Sequence, residues 1–115
     1  MIPSQSSSKK RLAIATNNGT YFLCLEEIVQ LKASNNYTNI YLANKKVILT
    51  SKVLKKYVQL LEPLGFVRTH RKHLVNRQHI NYINRQGNII MNDASVAEIS
   101  RRMKNGVMKV LMNVL

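Results

Sequence analysis

Residues 66–80 carry four permanent cations, Arg68, Arg71, Lys72 and Arg77, and three imidazoles, His70, His73 and His79, with no carboxylate among them. The acid-free interval is longer still, running from residue 63 through residue 92 and adding Arg85. Like charges held close repel one another, so a solvated face ordinarily mixes both signs. Crowded guanidinium and ammonium groups suit an anion, and phosphate is the commonest one. For a single segment taken alone, the plain alternative is a basic surface loop with no partner.

Three histidines also invite a metal or catalytic reading. Zinc sites typically add cysteine or carboxylate ligands, and a strongly cationic surround repels the ion. The sequence has no paired carboxylates, no glycine-rich phosphate loop and no nucleophile–base pattern. The expectation is therefore a protein that is not an enzyme and carries neither metal nor cofactor.

Such groups need elements to hold them. Phe66-Val67 and Leu74-Val75 are apolar pairs suited to strand ends, with a tight polar connection between them. Upstream, residues 12–16 and 20–25 read as a hairpin around Asn17-Asn18-Gly19, because Asn and Gly both tolerate positive φ. Glu26-Glu27 reads either as a short helical turn or as a strand cap. From Tyr37 to Leu42 the pattern has period two, with Ile40 and Leu42 on one face and Tyr37, Asn39 and Tyr41 on the other. Asn44-Lys45 turns the chain back into residues 47–50. Val53, Leu54, Tyr57, Val58 and Leu61 fall at helical spacing, with Ser51 as the expected cap and Pro63 and Gly65 as the stop. The opposite face, Lys52, Lys55, Lys56 and Gln59, reads as solvated or as an auxiliary phosphate contact. Strands are then expected over 80–83, 89–91 and 96–99, with turns at 85–88 and 92–93. Ser100 would cap a short helix through Arg101-Arg102-Met103-Lys104, and Val107, Val110, Leu111 and Val114 suggest that its later turns pack. The fold class is mainly β, antiparallel, with one central helix and a short C-terminal helix.

Length and charge set the outer bounds. A chain of 115 residues makes one domain able to bury a modest core without disulfides or metal. Residues 1–9, Ser-rich with Pro3, read as a disordered tail ahead of a domain over 10–115. The net charge of +13 favours nucleic acid or an anionic membrane surface as partner. No apolar run approaches the roughly 18–20 residues that span a bilayer, and the first residues lack a signal-peptide core, so a cytoplasmic protein is expected. The single cysteine, Cys24, excludes an internal disulfide and reads as a small buried hydrophobe.

Three segments, in order, resemble the LytTR-type DNA-binding domain, the effector domain of two-component response regulators. They are Ile28-Val29-Gln30-Leu31-Lys32-Ala33-Ser34-Asn35-Asn36-Tyr37-Thr38, then Phe66-Val67-Arg68-Thr69-His70-Arg71-Lys72-His73-Leu74-Val75-Asn76, then Ile99-Ser100-Arg101-Arg102. The second is the most specific, against a family pattern of Phe-x-Arg-x-His-Arg-Ser-x-x-Val-Asn. The resemblance implies an elongated, multi-sheet antiparallel β-fold that lays loops, not a recognition helix, into successive major grooves. It assigns DNA contacts to Asn35, Asn36, Tyr37 and Thr38, to His70, Arg71 and Lys72, and to Arg101, Arg102 and Lys104. Double-stranded DNA at repeated promoter sites is the implied partner, with a homodimer on DNA and a separate receiver or sensor domain as further implied partners. Lys72 departs from the family's usual Ser and adds charge beside the base-reading pair. Only the Ser-rich tail stands where a receiver domain is usual, which reads as an excised effector or as a stand-alone protein controlled elsewhere. Two rival classes remain at this point: a small basic RNA-binding protein with Tyr37, Tyr41 and Tyr82 stacking on bases, and an interaction module for an acidic partner.

Overall fold

The computed structural model describes residues 10–112; the expected tail over 1–9 and the last residues, Val114 included, lie outside the described residues. The chain enters through a hairpin, β1 (Arg11–Thr16) and β2 (Gly19–Cys24), and passes through a 3-10 turn at Leu25–Glu27. There follow β3 (Ile28–Ser34), β4 (Tyr37–Leu42), β5 (Val47–Thr50), α1 (Leu54–Leu61), β6 (Phe66–His70) and β7 (His73–Asn76). A second run gives β8 (Ile80–Ile83), β9 (Ile89–Met91), β10 (Val96–Ala97) and α2 (Lys104–Met112). All pairing is antiparallel, in a five-stranded sheet of order β5-β4-β3-β7-β6, a three-stranded sheet of order β10-β9-β8, and the hairpin.

Strand β3 is the wall between two cores. Ile28 and Leu31 face α1 and the hairpin, where they meet Ile14, Leu23, Leu54 and Leu61. Val29 faces the other way, toward Val67, Val75, Ile89, Met91 and Val107 of the second core. The register shifts between Ile28 and Gln30, so Val29 is the extra residue of a β-bulge. The first half of β3, Ile28 to Leu31, is therefore covered on both faces, with Gln30 its one polar residue.

Several local expectations change. The positive φ in the first turn falls on Gly19 alone (126°), not on the asparagines. Glu26-Glu27 lies in the 3-10 turn, where Glu27 Oε1 accepts from the Cys24 backbone N–H at 2.9 Å. Cys24 itself is half-buried, because the neighbouring Phe22 turns outward. Ser51 does not cap α1, whose cap position is the extended Val53. No side chain caps the helix; Thr50 ties down the approach to it, accepting from Lys52 N–H at 3.2 Å and bonding the Tyr57 hydroxyl at 2.8 Å. The strand expected over 96–99 stops at Ala97, since the Glu98 carbonyl is taken by the Thr69 hydroxyl at 2.8 Å. The C-terminal helix begins at Lys104, leaving Arg101 and Arg102 in the preceding turn.

A polar chain crosses the second core. The Gln30 side-chain amide donates to Ser95 Oγ (2.8 Å) and Val96 O (3.4 Å), so its oxygen is the acceptor for His73 Nδ1–H at 3.3 Å. Ser95 Oγ in turn donates to Asp93 Oδ1 at 2.5 Å. His73 is only 4% exposed and its pKa is lowered from 6.5 to about 4, by burial first and then by the nearby Lys32 and His70, against the opposing pull of Glu98.

Two outcomes follow from the packing. Leu54→Ala and Leu61→Ala should each destabilise the fold by about 2–5 kcal/mol in denaturant titrations, while Lys55→Ala stays within about 0.5 kcal/mol of the parent. Equal small effects at all three positions would refute the packing of α1. Because folding lowers the His73 pKa, the unfolded chain binds more protons between pH 6.5 and about 4. This contribution to stability is therefore complete above pH 6.5 and is lost as pH falls toward 4, by a total on the order of 3 kcal/mol. Unfolding midpoints of the parent and His73→Gln, measured at pH 7 and pH 4.5, should diverge in that sense; parallel losses would mean that His73 is not held neutral.

Candidate nucleic-acid interface

The antiparallel order brings three loops to one end of the five-stranded sheet. Lys32 of β3 stands in register with His73 of β7, and Ala33 N–H donates to Lys72 O at 2.9 Å. The loop after β3 is thus fastened to the turn before β7. On the other flank, Ser100 N–H donates to Thr69 O at 2.8 Å, and the Thr69 hydroxyl holds the Glu98 carbonyl. Thr69 is free to do this because the register of β6 shifts between Arg68 and His70, making Thr69 the extra residue of a bulge.

In the first loop Asn35 adopts the left-handed conformation, φ 56°, which asparagine tolerates better than most residues. Asn36 is exposed, and Tyr37, the first residue of β4, is 47% exposed. Thr38, by contrast, is 0% exposed, and its hydroxyl donates to Lys52 O at 2.7 Å. It supports the loop from inside. The same bond holds exposed Lys52 at this end.

The second loop is a two-residue turn, Arg71-Lys72, with both side chains exposed. Arg68 Nη2 donates to Arg71 O at 2.8 Å, and Lys72 N–H donates to His70 Nδ1 at 3.1 Å. His70 therefore braces the turn through one ring nitrogen, while its other, Nε2, lies 3.6 Å from Glu98 Oε1. In the third loop Arg101 and Arg102 are exposed, and Ser100 Oγ accepts from Met103 N–H at 3.1 Å. Exposed Lys104 opens α2.

Two shallow clefts flank the Arg71-Lys72 turn. Ala33, Ser34, Asn35, Arg68, Arg71 and Lys72 line one of them. The other is lined by His70, Arg101 and Lys104 together with Gln86, Gly87 and Glu98. Arg68 and the turn between β8 and β9 are thus parts of this edge that the site assignment from sequence left out. Arg68 stands inside the quoted basic motif, and Arg85-Gln86-Gly87-Asn88 carries side-chain amides as Asn35-Asn36 does.

The carboxylates are unevenly placed between the two ends, whereas cations such as Lys45, Lys46 and Arg77 stand also at the end away from the loops. Of the five acidic residues, Glu26 and Glu27 precede β3, and Glu62 follows α1. Asp93 lies in the turn between β9 and β10, where its carbonyl accepts from Lys45 Nζ at 3.1 Å. These four lie away from the loops described above, and only Glu98 shares their end. The imidazoles also separate. His73 is buried, whereas His79 Nε2–H donates to Glu26 O at 2.6 Å, on the acidic side. Asn76, which closes the motif, is a staple there: its amide donates to Leu25 O (3.2 Å) and Ile28 O (2.9 Å). Among the described residues no group of three His, Cys, Asp or Glu side chains converges, and no helix is long and apolar enough to cross a membrane. Tyr37 and Tyr41 lie on the five-stranded sheet and Tyr82 on the three-stranded one, so the three do not line a single strand surface.

The LytTr DNA-binding domain family model matches residues 18–112. No curated protein matches the chain. Among solved structures, the LytTr DNA-binding domain of a proposed methyl-accepting/DNA response regulator from Bacillus cereus is similar, with a TM-score of 0.72 over 92% of this chain and 99% of that one. At 19% identity that likeness speaks to the fold, a mainly β architecture of antiparallel sheets with two helices. The family match spans most of the sequence, and the chain belongs to the LytTR DNA-binding domain family.

Proposed function

We propose that the protein reads duplex DNA sequence-dependently by laying its three fastened loops into the major groove, as the effector part of a transcriptional regulator. The observation that carries this is the convergence of Asn35-Asn36, Arg71-Lys72 and Arg101-Arg102 on the end from which four of the five carboxylates are excluded. The chemistry fits the task. Arg71 and Arg102 offer paired donors to the O6/N7 edge of guanine, and Asn35 or Asn36 can do the same for adenine. Lys72 and Lys104 are suited to phosphate, where a point charge positions the protein without reading sequence. Tyr37 contributes exposed surface beside the first loop. His70 serves by holding the turn, and Thr38 by holding its flank.

As a binding module with no covalent step to perform, the domain acts by occupancy. It works in the cytoplasm, on repeated sites occupied by two copies. Single-stranded RNA is the less favoured partner, because the tyrosines that would stack on bases are divided between two sheets.

Selection of bound duplexes from a random pool tests the reading, since a sequence-reading domain enriches a defined site. On that site, neutralising about five to seven phosphates should give a log–log salt slope of roughly −4.5 to −6; a slope near zero would contradict electrostatic docking. Arg71→Ala or Arg102→Ala should cost about 1–3 kcal/mol on the selected duplex and much less on a scrambled one. Lys104→Ala should weaken both alike and make the salt slope shallower by about one. If the two arginine variants weaken both duplexes equally, these side chains only clamp the backbone.

A further inference from the structure

Glu98 is the one carboxylate at the end that carries the loops, and its surroundings give it a task. Its backbone is fixed, since the carbonyl accepts from the Thr69 hydroxyl at 2.8 Å. Its carboxylate is 62% exposed, lines the same cleft as Arg101 and Lys104, and lies 3.6 Å from His70 Nε2. Lys72 N–H donates to His70 Nδ1 at 3.1 Å, so Nδ1 must keep its lone pair and the ring proton belongs on Nε2, directed at Glu98. A line of contacts thus runs from the carboxylate through the imidazole to the backbone of the Arg71-Lys72 turn.

We propose that Glu98 is a positioning and specificity-determining residue: its carboxylate orients His70, and through it the reading turn, while repelling phosphate from the centre of the cationic edge. The inference rests on the DNA-reading function proposed above. A complex held only by phosphates leaves this negative charge opposed and unrewarded. A complex with base edges in the clefts places amino donors there and keeps the backbone away. Discrimination then comes partly from a repulsive element, at a cost in total affinity.

Substitutions in the full chain separate the two roles. Glu98→Gln retains an oxygen acceptor for His70 and removes the charge; Glu98→Ala removes both. Glu62→Gln, on the acidic side, changes net charge by the same amount and serves as the control. Dissociation constants would be measured on the pool-selected duplex and on its scrambled counterpart at one salt concentration. Glu98→Gln should bind scrambled DNA about fivefold tighter, the effect of one unit charge about 4 Å from another in water. Its affinity for the selected duplex should change little, so the specificity ratio falls by about the same factor. Glu98→Ala should additionally weaken the selected duplex, and Glu62→Gln should leave both constants within about twofold. If Glu98→Gln tightens both duplexes alike, or leaves both unchanged, while the parent still discriminates, this inference alone is overturned. A parent protein that does not discriminate overturns the DNA-reading function and this inference with it.

Discussion

The architecture depends on the double burial of β3. With Ile28 and Leu31 committed to one core and Val29 to the other, neither face of the strand's first half can carry charge or accept a ligand. Full burial of a Val, Leu or Ile side chain stabilises by about 1.5–3 kcal/mol, whereas a single net hydrogen bond contributes roughly 1 kcal/mol. Strand register is therefore set by the cores, and the loops inherit it. A slip of one residue would send each set of apolar side chains to the wrong face. What remains for function is the end of the sheet, where the strands stop and their connections turn.

That arrangement explains how two-residue turns can hold defined positions. The loop after β3 is bonded to Lys72, the bulged Thr69 to Ser100 and Glu98, and Arg68 and His70 both brace the backbone of the Arg71-Lys72 turn. The basic motif thus contains few residues free for a partner. Phe66, Val67, Leu74 and Val75 fill the cores, Asn76 and His73 bond inward, and Arg71 and Lys72 are left outside. A cluster of cations in the sequence becomes two presented side chains on a frame built from the others.

Much of this was legible in the sequence. The period-two run of β4, the helical stripe of α1 and the cationic and amide-rich loops are direct consequences of which side chains must be wet or dry. The bulges at Val29 and Thr69 were not legible: an extra residue shifts the phase of the alternation, and no phase can be read where both faces are covered, as in β3, or where the strand is as short as β6. The burial of Thr38 was legible, since it shares parity with Ile40 and Leu42 and alternation alone sends it inward. The end of β10 depends on a bond from Thr69, twenty-nine residues from Glu98 in the chain, which no local pattern contains. The turn between β8 and β9 joins the site through tertiary packing, beside the cleft that Glu98, Arg101 and Lys104 line.

The central claim is that one end of the central sheet faces DNA and the acidic side does not. Backbone amide shifts of the labelled protein, followed while the pool-selected duplex is added, test this directly. The account predicts the largest changes at Asn35, Asn36, Arg71, Lys72, Arg101 and Arg102, with the segments around Glu27, Glu62 and Asp93 unmoved. Changes centred on those acidic segments, or spread evenly over the surface, would contradict it.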